Sequence, residues 1–444
     1  MNKNDCKEPV VVIYVHGLYG SVLVNNKTGR VEYNLPTSLL RSAIFHGNRG
    51  HNVALPTTWS KSSTDNNNTV PVQDKDNLIP TVPLRYTHTG FLDCLESLRD
   101  SGSIELHTPV WDWRRAFEET EPKLANDIDA ILDRHPRRRA VLITHSTGAL
   151  VSWPSLNRRP GDFSAWVNIA GAIGGSNALV KELRNGWGAP GAEFLRLFSA
   201  MTMCTFPSHF GFFVSHNDGE RFGGPTGKET DFFVVDKETG DNVFLTSKDI
   251  DLHNYEDWKK FRLGMYGWKG KDRITDEDIS HLRHSLEAAR RFRSKHYAID
   301  GVSPDSDAYL LHDRSEYSHL RIINYGSDKS QTHLAYEVDI ASKTVDVTKS
   351  GLTAPGDSTI LSADWRYIPG NLKTETILSE KDSLHIPMCG DEGLLDLIGD
   401  LVGVPQNGTT RMQKESQYFP ASWAVIFVVL STIAMGVALQ KNWL

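Results

Sequence analysis

Apolar positions along this chain fall into two alternating rhythms. Val10-Val-Val-Ile-Tyr-Val15 is an unbroken run rich in β-branched residues, the pattern of a strand buried on both faces of a parallel sheet. It runs straight into His16-Gly-Leu-Tyr-Gly-Ser21, a glycine-rich loop. Ala140-Val-Leu-Ile-Thr144 repeats the pattern before His145-Ser-Thr-Gly148, and Leu320 to Asn324 repeats it again. A hairpin is expected next, with Thr332 to Val338 paired to Lys343 to Val347. Helical spacing fills the gaps. Phe91, Leu92, Leu95 and Leu98, with Gly102 as a stop, predict a helix over Gly90 to Asp100. A strand ending at Trp111-Asp-Trp-Arg-Arg115 should follow. Pro122 then opens a helix with Leu124, Ile128, Ile131 and Leu132 on one face, closed by His135-Pro136. Leu394, Leu395, Leu397 and Ile398 mark a terminal helix. Strands alternating with amphipathic helices predict an α/β fold built of right-handed βαβ units around a mostly parallel sheet.

The alternation is interrupted twice. From Asn25 to Pro83 the text is irregular, with a polar stretch from Lys61 to Thr69 read as a surface excursion. Between about Asn185 and Ser303 it fades into an aromatic-rich segment with Phe198, Phe206, Phe210, Phe212 and Phe213. This region reads as an inserted cap or lid, whose phenylalanines either line a tunnel or fill the cap's own core. Thr275-Asp-Glu-Asp278 is a capping-box start for a helix with Ile279, Leu282, Leu286 and Phe292 on one face, expected as a packed cap helix rather than a membrane contact. The expected organisation is a first core part at 1–190, a cap at 191–303, a second core part at 304–415 and a membrane segment at 420–440.

That last segment rests on its own signal. Ala421 to Leu439 contains no charged residue, and Trp423 and Trp443 bracket it as interfacial aromatics do, the pattern of a transmembrane helix. The apolar run at Val10–Val15 is too short for a signal-peptide core. The expectation is therefore a single-pass C-terminal tail anchor, with the bulk of the chain on the cytoplasmic face and the bilayer as a partner.

Composition narrows the rest. The 444 residues suffice for one large domain with an insertion, and a net charge of -7 gives no electrostatic case for nucleic acid. The four cysteines, Cys6, Cys94, Cys204 and Cys389, show neither a zinc spacing nor a disulfide framework.

The chemistry concentrates at Thr144-His-Ser-Thr-Gly148, which reads as a nucleophile elbow: a sharp strand-to-helix turn that lifts the Ser146 hydroxyl clear of the sheet. Gly148 is the small residue two after the serine, whereas Thr144 stands where the common pattern has glycine. Such an elbow needs an acid and then a histidine later in the chain. Asp357, in Ala354-Pro-Gly-Asp357, and His385, in Asp382-Ser-Leu-His-Ile-Pro387, satisfy that order. Asp328, Asp339 and Asp364 remain rival acids, with Asp364 nearest in setting.

Taken together, His16-Gly-Leu-Tyr-Gly-Ser21, Trp111-Asp-Trp-Arg114, Thr144-His-Ser-Thr-Gly148, Gly174-Gly-Ser176, Asn324-Tyr-Gly326, Pro355-Gly-Asp357 and His385 resemble the lecithin:cholesterol acyltransferase family of lipid α/β-hydrolases. That family includes phospholipid:diacylglycerol acyltransferases and phospholipases. The departures are Thr144, the text after Asp357, and the lack of the paired cysteines that pin the lid in secreted relatives. The resemblance implies an α/β-hydrolase fold and a Ser146–Asp357–His385 triad. Backbone N–H groups of Leu18 and Thr147 would form the oxyanion hole. It also implies a phospholipid acyl donor, with water, a sterol or a diacylglycerol as acceptor, and no metal or organic cofactor. A carboxylesterase acting on smaller esters and a non-catalytic lipid-binding protein are the competing readings.

Overall fold

The computed structural model describes residues 8–34, 53–57, 59–61, 69–71, 77–176, 178–189, 192–214, 232–236, 238–245, 249–268, 273–297, 317–339, 341–346, 352–368, 372–380 and 384–404. The apolar runs form a six-stranded sheet of β1 (Val10–Val15), β2 (Ile104–His107), β3 (Ala140–His145), β4 (Phe163–Ile169), β5 (Arg321–Gly326) and β6 (Glu375–Leu378). Its order is β6-β5-β4-β3-β1-β2, and every neighbouring pair is parallel. Strand order reverses between β1 and β3, because the chain goes outward from β1 to β2 and then returns to lay β3 on the other side of β1. A crevice at the carboxyl ends of the strands is expected at such a switch point. The His16–Gly20 loop and Ser146 leave the sheet there.

Alternate side chains of each strand enter separate cores. On one face Val12, Tyr14, Val141, Ile143, Val167 and Ile323 pack with the apolar stripes of α1 (Arg85–Asp100) and a C-terminal helix, Glu392–Val402. On the other, Val11, Ile13, Leu142, Trp166 and Ile322 join α2 (Phe117–Arg134) and α3 (Thr147–Arg158).

Three elements depart from the periodicity. β2 ends at His107, so Trp111–Arg115 is not strand; Arg115 N–H closes a turn on the Asp112 carbonyl (3.1 Å) and the segment serves as a clamp. α2 begins at Phe117 with Pro122 inside it. Buried Phe117 packs its ring on Trp111, Phe212 and Phe292, while Glu118 and Glu119 suit the positive end of the helix dipole, which outweighs the hydrogen bond lost at the proline. α1 starts at Arg85, ahead of its first apolar pair.

In the inserted region, Phe198, Phe206, Phe210, Phe212 and Phe213 are all buried in one continuous core with Tyr19, Trp113 and Trp258, so they fill that core. The helix Asp276–Tyr297 opens with the reciprocal Thr275–Asp278 capping box and buries Leu282, Leu286 and Phe292. It docks through buried Arg293, which donates to the carbonyls of Ile173 (2.6 Å) and Gly211 (2.8 Å). A second sheet joins the inserted strands Phe232–Val235 and Asn242–Phe244 to Ser330–Asp339 and Thr344–Asp346, and Ser330–Asp339 also pairs with Leu352–Gly356. Among the described residues no helix is long and apolar enough to cross a membrane; the segment 421–439 lies outside them.

Candidate active site

Ser146 sits between the end of β3 and the first residue of α3 with φ 54° and ψ −123°, a conformation a non-glycine residue adopts only when its surroundings over-determine it. The surroundings are visible. Ser146 N–H donates to the Ile169 carbonyl (2.9 Å), while its own carbonyl accepts from Ala149 (3.1 Å) and Ala172 (3.0 Å). Gly148 lets α3 come against β1: a Cβ there would lie 2.3 Å from the Val15 carbonyl oxygen. The opposite flank explains the threonine. Thr144 is buried on β3 and its Oγ1 accepts the indole N–H of Trp166 on β4 (2.9 Å), so its side chain is used by the neighbouring strand.

Asp357 follows the strand Leu352–Gly356 and is fully buried. Its Oδ1 accepts the backbone N–H groups of Thr359 (3.0 Å) and Ile360 (2.8 Å), and Ser358 N–H is held by Thr332 Oγ1 (2.9 Å). That fixes the carboxylate and turns Oδ2 toward His385 Nδ1, 2.7 Å away. The His385 backbone N–H also donates to the Asp357 carbonyl (3.0 Å), so two bonds join the loops. His385 Nε2 lies 2.9 Å from Ser146 Oγ. Serine and histidine are each 7% exposed and the aspartate 0%, so the acid is the driest of the three. The rival Asp364 lies in the short helix Ser362–Arg366, under Gly174, and not on His385.

The loop after β1 passes directly over the serine. A Cβ at Gly17 would stand 2.8 Å from Ser146 Cβ, and Gly20 N–H closes a turn on the Gly17 carbonyl (3.1 Å) with Tyr19 at φ 58°. Leu18 is half-buried in that turn, and Thr147 begins α3, where a helical N–H has no carbonyl one turn back. Neither N–H donates to a backbone carbonyl among the described residues. Both are thus available as donors beside Ser146.

Two contributors lay beyond sequence reasoning. Trp111 and Trp113 clamp the β1 loop: their indole N–H groups donate to the carbonyls of His16 (3.0 Å) and Ser21 (3.2 Å), and Trp111 stacks on His16. Between them Asp112 and buried Arg114 form a 2.7 Å ion pair. Burial opposes charge on Asp112, but the guanidinium holds its carboxyl below the usual range. Burial lowers His16 to about 4, so the loop carries a neutral imidazole. The second is His145, whose Nε2 lies 3.2 Å from the His385 carbonyl oxygen and whose ring centroid is 4.9 Å from that of His385. The tandem spacing of the tryptophans and the histidine before the serine were visible signals; the partners, about a hundred residues or more away, were not. Gly174 and Gly326 of the other motifs make room for the helix carrying Asp364 and Trp365: a Cβ at Gly174 would lie 2.6 Å from Asp364 Cα, and one at Gly326 would enter the Trp365 ring at 2.4 Å.

This geometry can transfer a proton from a serine hydroxyl to an imidazole oriented by a buried carboxylate. No protein-family model matches the chain, and no curated protein matches its sequence. Among solved structures the chain is similar to one in the crystal structure of the Tle4–Tli4 complex, with TM-score 0.55 and 11% identity over 92% of this chain and 99% of that one. It is also matched by a metagenomic carboxyl esterase, at TM-score 0.19 and 14% identity over 64% and 75% of the two chains, too distant to carry an argument. The first likeness extends over almost the whole of both chains, and what it establishes is the shared fold: an α/β architecture around a central, mostly parallel sheet.

Proposed function

We propose that this protein is a serine acyl hydrolase or acyltransferase of the α/β-hydrolase type, acting on carboxylic esters of lipids. The observation that carries the reading is the unbroken path Ser146 Oγ–His385 Nε2, His385 Nδ1–Asp357 Oδ2, built on a serine held in a strained turn. His385 takes the serine proton as Oγ attacks the ester carbonyl, and Asp357 fixes the tautomer and stabilises the imidazolium. The N–H groups of Leu18 and Thr147 receive the oxyanion, each such donor typically contributing about 3 kcal/mol to the transition state. Collapse expels the lipid alcohol, which takes its proton from His385. Water or a second alcohol then attacks the acyl-enzyme by the same steps in reverse.

The finer reading follows the motifs shared with the lecithin:cholesterol acyltransferase family: a glycerolipid, specifically a phospholipid, donates the acyl group, and a lipid alcohol or water accepts it. The uncharged run Ala421–Leu439 supports a membrane-spanning segment that would hold the chain on a bilayer, where donor lipid is locally concentrated. The test is labelling of the full chain with a fluorophosphonate beside Ser146→Ala, followed by lipid product analysis. Phospholipid alone and phospholipid with added sterol or diacylglycerol are compared. Labelling lost in the variant, with free fatty acid or acylated alcohol as product, supports the reading and chooses the acceptor. Labelling that persists in Ser146→Ala overturns it. Turnover of short soluble esters with no lipid product favours a small-ester carboxylesterase instead.

A further inference from the structure

The edge strand β2 carries chemistry that the serine site does not use. Ile104 is buried in the core beside α1 and Leu106 packs against it, so Glu105 and His107 project from the other face of the strand. His135, the residue that caps the C-terminal end of α2, meets them there. Both imidazole Nε2 atoms converge on one carboxylate oxygen: Glu105 Oε1 lies 2.9 Å from His135 Nε2 and 3.3 Å from His107 Nε2. All three donor atoms fall within 4.8 Å of one another. Both Nε2 atoms are buried from solvent and face the Glu105 carboxylate.

From this convergence we infer that Glu105, His107 and His135 form a binding site for a divalent transition-metal ion of the zinc class. Zinc bonds of about 2.0–2.1 Å place tetrahedral ligand atoms roughly 3.3 Å apart, the scale seen here. Two imidazoles and one carboxylate are a zinc donor set, leaving a fourth position for water. The C-terminal end of α2 adds the negative pole of its dipole.

Arg138 is the competitor. Its Nη2 donates to Glu105 Oε2 (2.9 Å) and contacts His135 Nδ1, while Nη1 holds the Pro9 carbonyl (2.9 Å). Metal on His135 Nε2 requires the proton on Nδ1, so Arg138 must withdraw from that nitrogen. The site is thus one at which an internal guanidinium and an external dication compete for the same carboxylate. β1 separates it from β3 and Ser146, so the ion is structural and takes no part in the serine chemistry.

The test uses Co2+ titrated into the full-length, chelator-treated chain. The expected result is a visible d–d band of tetrahedral intensity that saturates at one equivalent and is bleached by Zn2+. Glu105→Gln and His107→Ala should each weaken binding by at least about tenfold, and Arg138→Gln should tighten it by a similar factor. Fluorophosphonate labelling of Ser146 should be the same in all of them. No band in the wild-type chain, or an equal band in Glu105→Gln, overturns the inference and leaves the cluster as an ion-pair network. Should His107→Ala fail to fold, Glu105→Gln, which preserves volume, decides the matter alone.

Discussion

Exchanging Asp357 for asparagine alters one atom of the candidate triad, and the surroundings dictate how the new side chain must sit. Oδ1 accepts two backbone N–H groups, from Thr359 and Ile360, and Oδ2 faces His385 Nδ1 at 2.7 Å. Asparagine has one oxygen to offer. Turned with its amide toward the two backbone donors, it would strand both of them, at about 1–3 kcal/mol each for buried groups. It therefore keeps its oxygen on the backbone and presents NH2 to Nδ1, which must now accept. The proton then resides on Nε2, 2.9 Å from Ser146 Oγ, where an acceptor is needed. In the serine-protease triad this wrong tautomer lowers kcat about 10⁴-fold, equivalent to roughly 5 kcal/mol of barrier at 1.36 kcal/mol per decade. The expected outcome for Asp357→Asn is a loss of that order in p-nitrophenyl ester hydrolysis, with the urea midpoint of the detergent-dispersed chain little changed. Asp364→Asn, altering the rival acid, should keep activity within a few fold. If Asp357→Asn retained more than about a tenth of wild-type kcat while Asp364→Asn did not, the tautomer argument would be refuted.

Gly148→Ala places a Cβ 2.3 Å from the Val15 carbonyl oxygen and should destabilise the fold by about 1–3 kcal/mol in denaturant titration; a neutral result would mean that α3 does not sit against β1 as described. Gly17→Ala presses on Ser146 Cβ and should reduce fluorophosphonate labelling far more than it shifts the melting temperature. His145→Phe keeps a ring beside His385 but removes the bond to its carbonyl, for an expected fall in kcat of roughly tenfold; unchanged kinetics would show that the loop needs no such tie. Acid should destabilise the protein. Burial lowers His16 and His281 to about 4 and His209 and His253 to about 3, so below pH 6.5 the unfolded chain binds protons that the folded one refuses. Each contributes a loss of up to about 1.4 kcal/mol per pH unit as pH falls from 6.5 toward 4. Glu182, which burial pushes up to about 8, opposes this, as do Glu121 and Asp127, which burial also raises, while His296, lowered to about 3, adds to the imidazoles. The unfolding midpoint should therefore drop between pH 7 and pH 5, and a rise would contradict the burial of these imidazoles.

The legible and illegible parts of this chain divide by range. Parallel strands buried on both faces announce themselves as β-branched runs, so β1, β3 and β5 could be read from composition alone, and α1 from its spacing. The elbow, the Pro-Gly-Asp turn and the order serine, aspartate, histidine are likewise local text. Trp111–Arg115, expected to end a strand, is not one, because its indoles are spent on carbonyls of the β1 loop more than ninety residues earlier. Thr144 looked like a defect in the elbow until Trp166 on the adjacent strand accounted for its hydroxyl. The phenylalanines of the inserted region were ambiguous for the same reason: periodicity cannot tell a lined channel from a filled core. The Glu105, His107 and His135 cluster has no local signature, because its third member stands just past the far end of a helix.

The sheet that delivers Asp357 is woven from two distant stretches of sequence. Phe232–Val235, from the inserted region, pairs in parallel with Ser330–Asp339, which in turn pairs with the strand ending at Gly356, one residue before the acid. The insertion is therefore not a detachable cover. Excising it, or exchanging it for that of another protein to alter selectivity, would strip one edge from the small sheet on which the aspartate is mounted. Changes of specificity in this molecule are safer sought by single substitutions within the insertion than by transplanting it whole.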